Sequence, residues 1–192
     1  MNAAKKLKSE SDLLAFGEEA RAELVNGELV SIETSGEHSD AQAGINRLIL
    51  PIFHRRGGSD GGGGGWWIYT EATVAFSFQD ILRPDIAGWR RERVPERPIG
   101  FPIRELPDWV CEVLSPSTAR RDLIEKRAIY HRAHVSHYWV VDLEKETLTV
   151  LRWSPAGYVI VLVAGPEDSV RAEPFEALEL WCGGFFGRER DE

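Results

Sequence analysis

Hydrophobic positions along the chain change period several times, and each change marks an element. AELVNGELVSIE carries two β-like runs around Asn26-Gly27, a pair that tolerates positive φ, and this predicts a hairpin. Before it, Leu13, Leu14 and Phe16 anchor a short helix starting near Ser11. From about Ser39 to Arg56, the spacing of Ile45, Leu48, Ile49, Ile52 and Phe53 becomes that of an amphipathic helix with one core face, and Pro51 marks a kink or a split. WWIYTEATVAFSF reads as one long β run from Trp66 to Phe78, and ILRPDIAGW as a strand opened by Pro84 and Asp85. Trp109 to Leu114, a helix and Tyr138 to Asp142 make a strand–helix–strand unit, with Ser117 or Thr118 as the helix cap and the helix ending near His134. Thr147 to Trp153 and Tyr158 to Val163 form a hairpin, and Leu178 to Trp181 a last short strand.

The alternation of strands and helices predicts an α/β domain. At 192 residues the chain suits a single domain, 1–192, with residues 1–10 and 186–192 as flexible tails. No apolar run approaches the roughly 18–20 residues that span a bilayer, and the N-terminus lacks the apolar core of a secretory signal, so a cytoplasmic protein with no membrane partner is expected. Cys111 and Cys182 lack metal-site spacing and read as reduced thiols. The net charge of −8 excludes coating of nucleic acid by bulk electrostatics. Local patches remain: Arg83, Arg90, Arg91, Arg93, Arg97 and Arg104 crowd one stretch, either as a solvated loop or as phosphate contacts, and Arg120, Arg121, Lys126 and Arg127 decorate the predicted helix.

The candidate chemistry lies in acidic residues at unusual places. Glu112 interrupts an apolar strand, where a carboxylate is costly to bury without a metal or a cation beside it. Asp122, Lys126 and Tyr130 follow at four-residue spacing, on one helical face. Glu23 stands beside the hairpin turn and Asp85 opens its strand. Hard divalent cations take oxygen ligands and share one or two carboxylates with substrate phosphates. The set therefore fits metal-assisted phosphodiester hydrolysis, with Asp85 and Glu112 as metal ligands and Lys126 orienting water or stabilising the transition state.

At AELVNGELV, RPDIAGW and VCEVLSPSTARRDLIEKRAIYHRAHVSHYWVVD the sequence resembles the Uma2 family of the PD-(D/E)XK nuclease superfamily, over roughly residues 11–182. The resemblance implies a restriction-endonuclease-like core, a mixed central sheet flanked by helices with additional antiparallel hairpins. It also implies a metal-dependent DNA endonuclease using Mg2+, with Mn2+ as a substitute. Asp85 and Glu112 match the superfamily's two acids and Glu23 an additional N-terminal acid. Leu114 stands where the superfamily usually carries lysine, and Lys126 matches a lysine migrated to the following helix. Double-strand cleavage implies a homodimer, with exposed Trp or Phe of the C-terminal strands as its interface. The competing expectation is a nuclease-like module that binds nucleic acid or protein without turnover.

Other candidates read as structural. His131, His134 and His137 are expected at surface and turn positions and Tyr130 as half-buried packing; His38, near the start of the long helix, is expected as a capping or solvent-facing residue ahead of the alternative that it approaches the cleft. The glycine-rich stretch 57–65 lacks the ending of a phosphate-binding loop and reads as a connector. Ser115 lacks the context of a hydrolase nucleophile.

Overall fold

The computed structural model describes residues 7–17, 21–32, 34–57, 63–115 and 119–189. The proposed cap at Ser117 or Thr118 and most of the glycine-rich connector lie outside the described residues. A short helix α1 (Glu10–Leu14) precedes the hairpin β1 (Ala22–Val25) and β2 (Glu28–Ser31), whose turn has Asn26 at φ 50° and Gly27 at φ 74°, as its residue types predict. Helix α2 (Gly36–Phe53) follows, with Ser35 Oγ accepting from the His38 amide at 3.3 Å. It runs through Pro51, which stands two residues before its end and removes only one late helical donor.

The expected long run from Trp66 is two strands. β3 (Trp66–Thr70) ends where Glu71 turns left-handed at φ 51°, and β4 (Val74–Ala75) joins a different sheet. The Glu71 amide donates to the Asp85 carbonyl at 3.0 Å, which fixes this departure. Next come β5 (Ile81–Leu82), β6 (Ile86–Arg90) and β7 (Trp109–Leu114). The predicted helix begins as a wider π turn, Arg121–Lys126, and continues as α3 (Arg127–Arg132). Strands β8 (His137–Asp142), β9 (Thr147–Arg152) and β10 (Val159–Ala164) complete the main sheet, ahead of β11 (Ser169–Val170), β12 (Leu180–Trp181) and a 3-10 turn, Cys182–Phe186.

Among the described residues the central sheet has the order β10-β9-β8-β7-β6-β3, with β7 and β8 parallel and the other neighbours antiparallel. A smaller antiparallel sheet has the order β2-β1-β5-β4. The fold is thus the mixed α/β arrangement expected. One face of β7 sends Trp109, Cys111 and Val113 into a core with Ala41, Ile45, Ile49 and Phe53 of α2. The other sends Val110 and Leu114 toward Ile129 and Tyr130 of α3. Burial on both faces explains an almost wholly apolar strand, and places Glu112, by alternation, on the α3 side. A one-residue slip of its pairing with Val140 would turn the carboxylate into the aromatic core instead. Both cysteines are free and buried. No described helix is long and apolar enough to cross a membrane.

Helix α2 packs closely on the C-terminal turn at Gly44, where an added Cβ would lie 2.2 Å from the Gly184 carbonyl oxygen, whereas one at Gly36 would meet nothing within 4 Å. Alanine gains roughly 1 kcal/mol over glycine inside a helix, which does not offset a backbone collision of this size. Urea unfolding of Gly44→Ala should show a net loss of about 1–3 kcal/mol, while Gly36→Ala should leave stability unchanged or raised.

Candidate active site

Glu23, Asp85, Glu112 and Lys126 come from four elements, and the fold brings all of them to one place. Lys126 Nζ lies 2.9 Å from Glu23 Oε1, 3.1 Å from Glu112 Oε1 and 3.4 Å from Asp122 Oδ1. The ammonium is 5% exposed and its partners 1–2%. The Asp122/Lys126 pair is therefore no surface decoration. It belongs to a buried cluster in which a single ammonium bridges the small sheet, the central sheet and the crossover helix.

The π turn positions this lysine. The Arg127 amide reaches back to the Asp122 carbonyl, and Tyr138 Oη donates to that same oxygen at 3.1 Å. A carbonyl engaged from outside the helix accommodates the widened turn, a distortion that recurs at functional sites. Asp122, Lys126 and Tyr130 nevertheless face the same interior, as their spacing predicts. Tyr130 is fully buried rather than half-buried, and its hydroxyl donates to Glu112 Oε1. Burial pushes this phenol well above its ordinary pKa, with the charges of Glu112 and Glu23 acting in the same direction, so it remains a neutral donor.

Asp85 lies on the short link from β5 to β6, where the chain passes from the small sheet to the central one. Its Oδ2 accepts the Val113 amide at 2.6 Å, and its Oδ1 accepts Gln42 Nε2 at 3.2 Å and meets His38 Nε2 at 2.8 Å. His38 is thus neither solvent-facing nor a side-chain cap; it is buried against the carboxylate. Burial alone would lower its pKa, but the hydrogen bond and charge of Asp85 outweigh this and raise it, with Asp122 and Glu71 contributing. The approach of His38 to the cleft is the less favoured of its two expectations, and its pairing with Asp85 and the donation from Gln42 are not visible in sequence, because 47 and 43 residues separate the partners. The four-residue spacing of His38 and Gln42, which puts both on one turn-to-turn face of α2, was the available signal.

Glu23 Oε1 also accepts the Arg83 amide at 2.7 Å, while its Oε2 is buried with no hydrogen-bond partner. Burial raises Glu112 well above the usual carboxylate range; Lys126 pulls it back, and Asp122, Asp85 and Glu23 push it further up. Burial disfavours the Lys126 charge, yet Glu112, Glu23 and Asp122 hold the ammonium well above its ordinary pKa. Four carboxylates thus face one ammonium and one imidazole.

Asp85 and Glu112 carry the carboxylate oxygens that a hard divalent cation takes, and near Glu112 the buried Glu23 Oε2 has no hydrogen-bond partner among the described residues. Among the described residues no group of three or more His, Cys, Asp or Glu could hold a metal ion. Asp85 is the more exposed of the two, at 9% against 2%, and opens on a small cleft also lined by Arg21, Ile32, Glu71 and Arg83.

The remaining sequence candidates do not converge here. His131 contacts the Ser154 carbonyl and stacks on Trp153, His134 packs on Trp153, and His137 pairs with Glu173. The arginine-rich stretch is engaged internally: Arg93 with Asp108, Arg104 with Glu10, Arg90 and Arg91 over Trp66 and Trp67, Arg97 with Tyr69, and Arg83 with the Glu71 carbonyl. On the C-terminal strands the exposed large apolar side chains are Val159, Ile160 and Val163, whereas Trp139 is buried and Trp153 and Trp181 are half-buried. The interface expected from exposed aromatic residues there has no such surface among the described residues.

Residues 9–183 match the Uma2 family, described as "Putative restriction endonuclease". The chain belongs to the Uma2 family. The architecture is similar to the crystal structure of a "putative nuclease belonging to DUF820" from Anabaena variabilis, with a TM-score of 0.65 and 20% identity over 86% of this chain and 89% of that one. At that identity the likeness speaks for the fold alone. A comparison with curated proteins finds no match.

The cluster's dependence on its single ammonium can be measured. Removing one partner of a buried charge group leaves the others uncompensated, at a loss of about 3–5 kcal/mol. Lys126→Met should lose stability on this scale in urea, and Lys126→Met/Glu112→Gln should recover part of it.

Proposed function

We propose that this Uma2 protein is a metal-dependent DNA endonuclease in which Asp85 and Glu112 hold Mg2+, or Mn2+ in its place, and Lys126 is the catalytic lysine. The single observation that carries this reading is the enclosure of Lys126 Nζ within 3.4 Å of three buried carboxylates, one of them Glu112. A site so rich in unbalanced acid is expensive to maintain for packing alone. When bound, the cation would acidify water and neutralise charge developing on the phosphate oxygens.

The chain's own residues supply the rest. Glu23 and Asp122 hold the Lys126 ammonium beside Glu112, where it can orient water or meet charge on the phosphate. Tyr130 fixes the Glu112 carboxylate through Oε1. Arg21 and Arg83 border the cleft at Asp85, on the side from which a phosphate would approach. Cutting both strands of a duplex takes two such sites, so the active form in this reading is a homodimer.

A second reading, a module that binds nucleic acid or protein without turnover, is favoured by the same lysine, because its ammonium is buried and already paired with three carboxylates. Incubation of supercoiled plasmid and single-stranded DNA with Mg2+ or Mn2+ separates the two. The endonuclease reading expects cleavage that falls by about 10²–10⁴-fold in Lys126→Ala. Undiminished cleavage by that variant removes Lys126 from the chemistry; retained DNA binding without cleavage by the wild type supports the module.

Metal linkage tests the ligands without substrate. A ligand specific for the folded state adds about 2.7 kcal/mol at a hundred times its Kd, which for a chain of this length raises the melting midpoint by roughly 5–10 °C. Saturating Mn2+ should produce this rise in the wild type and little of it in Glu112→Gln. An equal rise in both proteins would place the metal elsewhere.

A further inference from the structure

We propose that His38 and Gln42, one helical turn apart on α2, are positioning residues that set the orientation of the Asp85 carboxylate and thereby its affinity for a divalent cation. The inference rests on the reading of Asp85 as a metal ligand and goes beyond it in naming what tunes that ligand.

Three donors converge on Asp85 from two directions. Val113, on the strand that carries Glu112, donates its amide to Oδ2 at 2.6 Å. From α2, His38 Nε2 meets Oδ1 at 2.8 Å and Gln42 Nε2 donates to the same oxygen at 3.2 Å and to the Asp85 carbonyl at 3.3 Å. An ionised carboxylate offers about four acceptor directions. With three taken, the carboxylate cannot rotate freely, and Asp85 lines the cleft together with Arg21, Glu71 and Arg83. Ligating carboxylates held in this way are pre-oriented, and loss of such outer partners typically weakens metal affinity by about 10–100-fold.

A purely structural role for His38 is separable from this one. The start of α2 is capped through the His38 backbone amide on Ser35 Oγ, so changing the imidazole leaves the cap in place. The imidazole Nε2 is also mimicked in reach by a glutamine amide nitrogen, which can donate the same bond without a ring or a charge.

Calorimetric titration of the full chain with Mn2+, without nucleic acid, reads the effect directly. His38→Ala should raise the Mn2+ Kd by about 10–100-fold, Gln42→Ala should raise it by less, and His38→Gln should restore most of the wild-type affinity. A merely structural histidine would lower the melting midpoint of the metal-free protein and leave the Kd in place. Unchanged or tighter binding by His38→Ala, or binding by His38→Gln as weak as by His38→Ala, overturns the inference while leaving Asp85 as a ligand. If the wild type takes up no Mn2+, the reading of Asp85 and the inference fall together. Should His38→Ala not fold, Gln42→Ala against the wild type decides the same question.

Discussion

The ammonium of Lys126 is the interaction on which the rest of this architecture depends. Glu23 reaches it from the small sheet, Glu112 from the middle of the central sheet and Asp122 from the preceding turn of its own helix. Desolvating that many charges is unfavourable, and the Coulomb gain in a buried site repays it only when the geometry and the hydrogen bonds are complete. Here Tyr130 and the Arg83 amide add donors to the same Glu112 and Glu23 oxygens that Lys126 engages, while Glu23 Oε2 has no hydrogen-bond partner among the described residues. An apolar set of the same volume would hold the layers together at less risk. In the proposed reading, chemistry gives that buried charge a use that packing does not.

The two sheets explain how the acids meet without crowding. Asp85 occupies the link between them, so its side chain can be reached by α2, which covers one face of the central sheet, while Glu112 points to the face covered by α3. The Val113 amide ties the two positions together across the strand. This leaves one carboxylate near a small opening and the other deep beside the lysine, an arrangement in which a phosphate could approach at Asp85 while Glu112 and Lys126 remain enclosed. The opening is bordered by arginine on a chain whose net charge is negative, so attraction of a polyanion would be local.

Much of this was legible in the chain itself. Asn26-Gly27 demanded a hairpin because few dipeptides accept two positive φ angles, and the spacing from Ile45 to Phe53 demanded a helix with one apolar face. Glu112 announced itself by its cost, since a carboxylate within WVCEVL needs a cation, and Lys126 stood where the following helix could deliver one. These are local statements. Period, turn chemistry and the penalty of burying charge act over a few residues and can be read without knowing what packs against them.

What only the tertiary structure decided are the partnerships across long stretches of chain. His38 meets Asp85 because the packing of α2 on the central sheet brings its first turn to the link between β5 and β6, and no periodicity encodes that packing. The arginines between 83 and 104 are close in sequence, but β-sheet register and loop path send them to separate intramolecular partners, and of these six arginines Arg83 also borders the cleft at Asp85. Likewise the run from Trp66 to Phe78 has uniform β propensity, yet it changes sheets at Glu71, where the amide is claimed by the Asp85 carbonyl. The physical reason is common to all three: propensity and pattern determine which elements form and which face is apolar, whereas register and the crossing of layers determine which polar groups are within reach of one another.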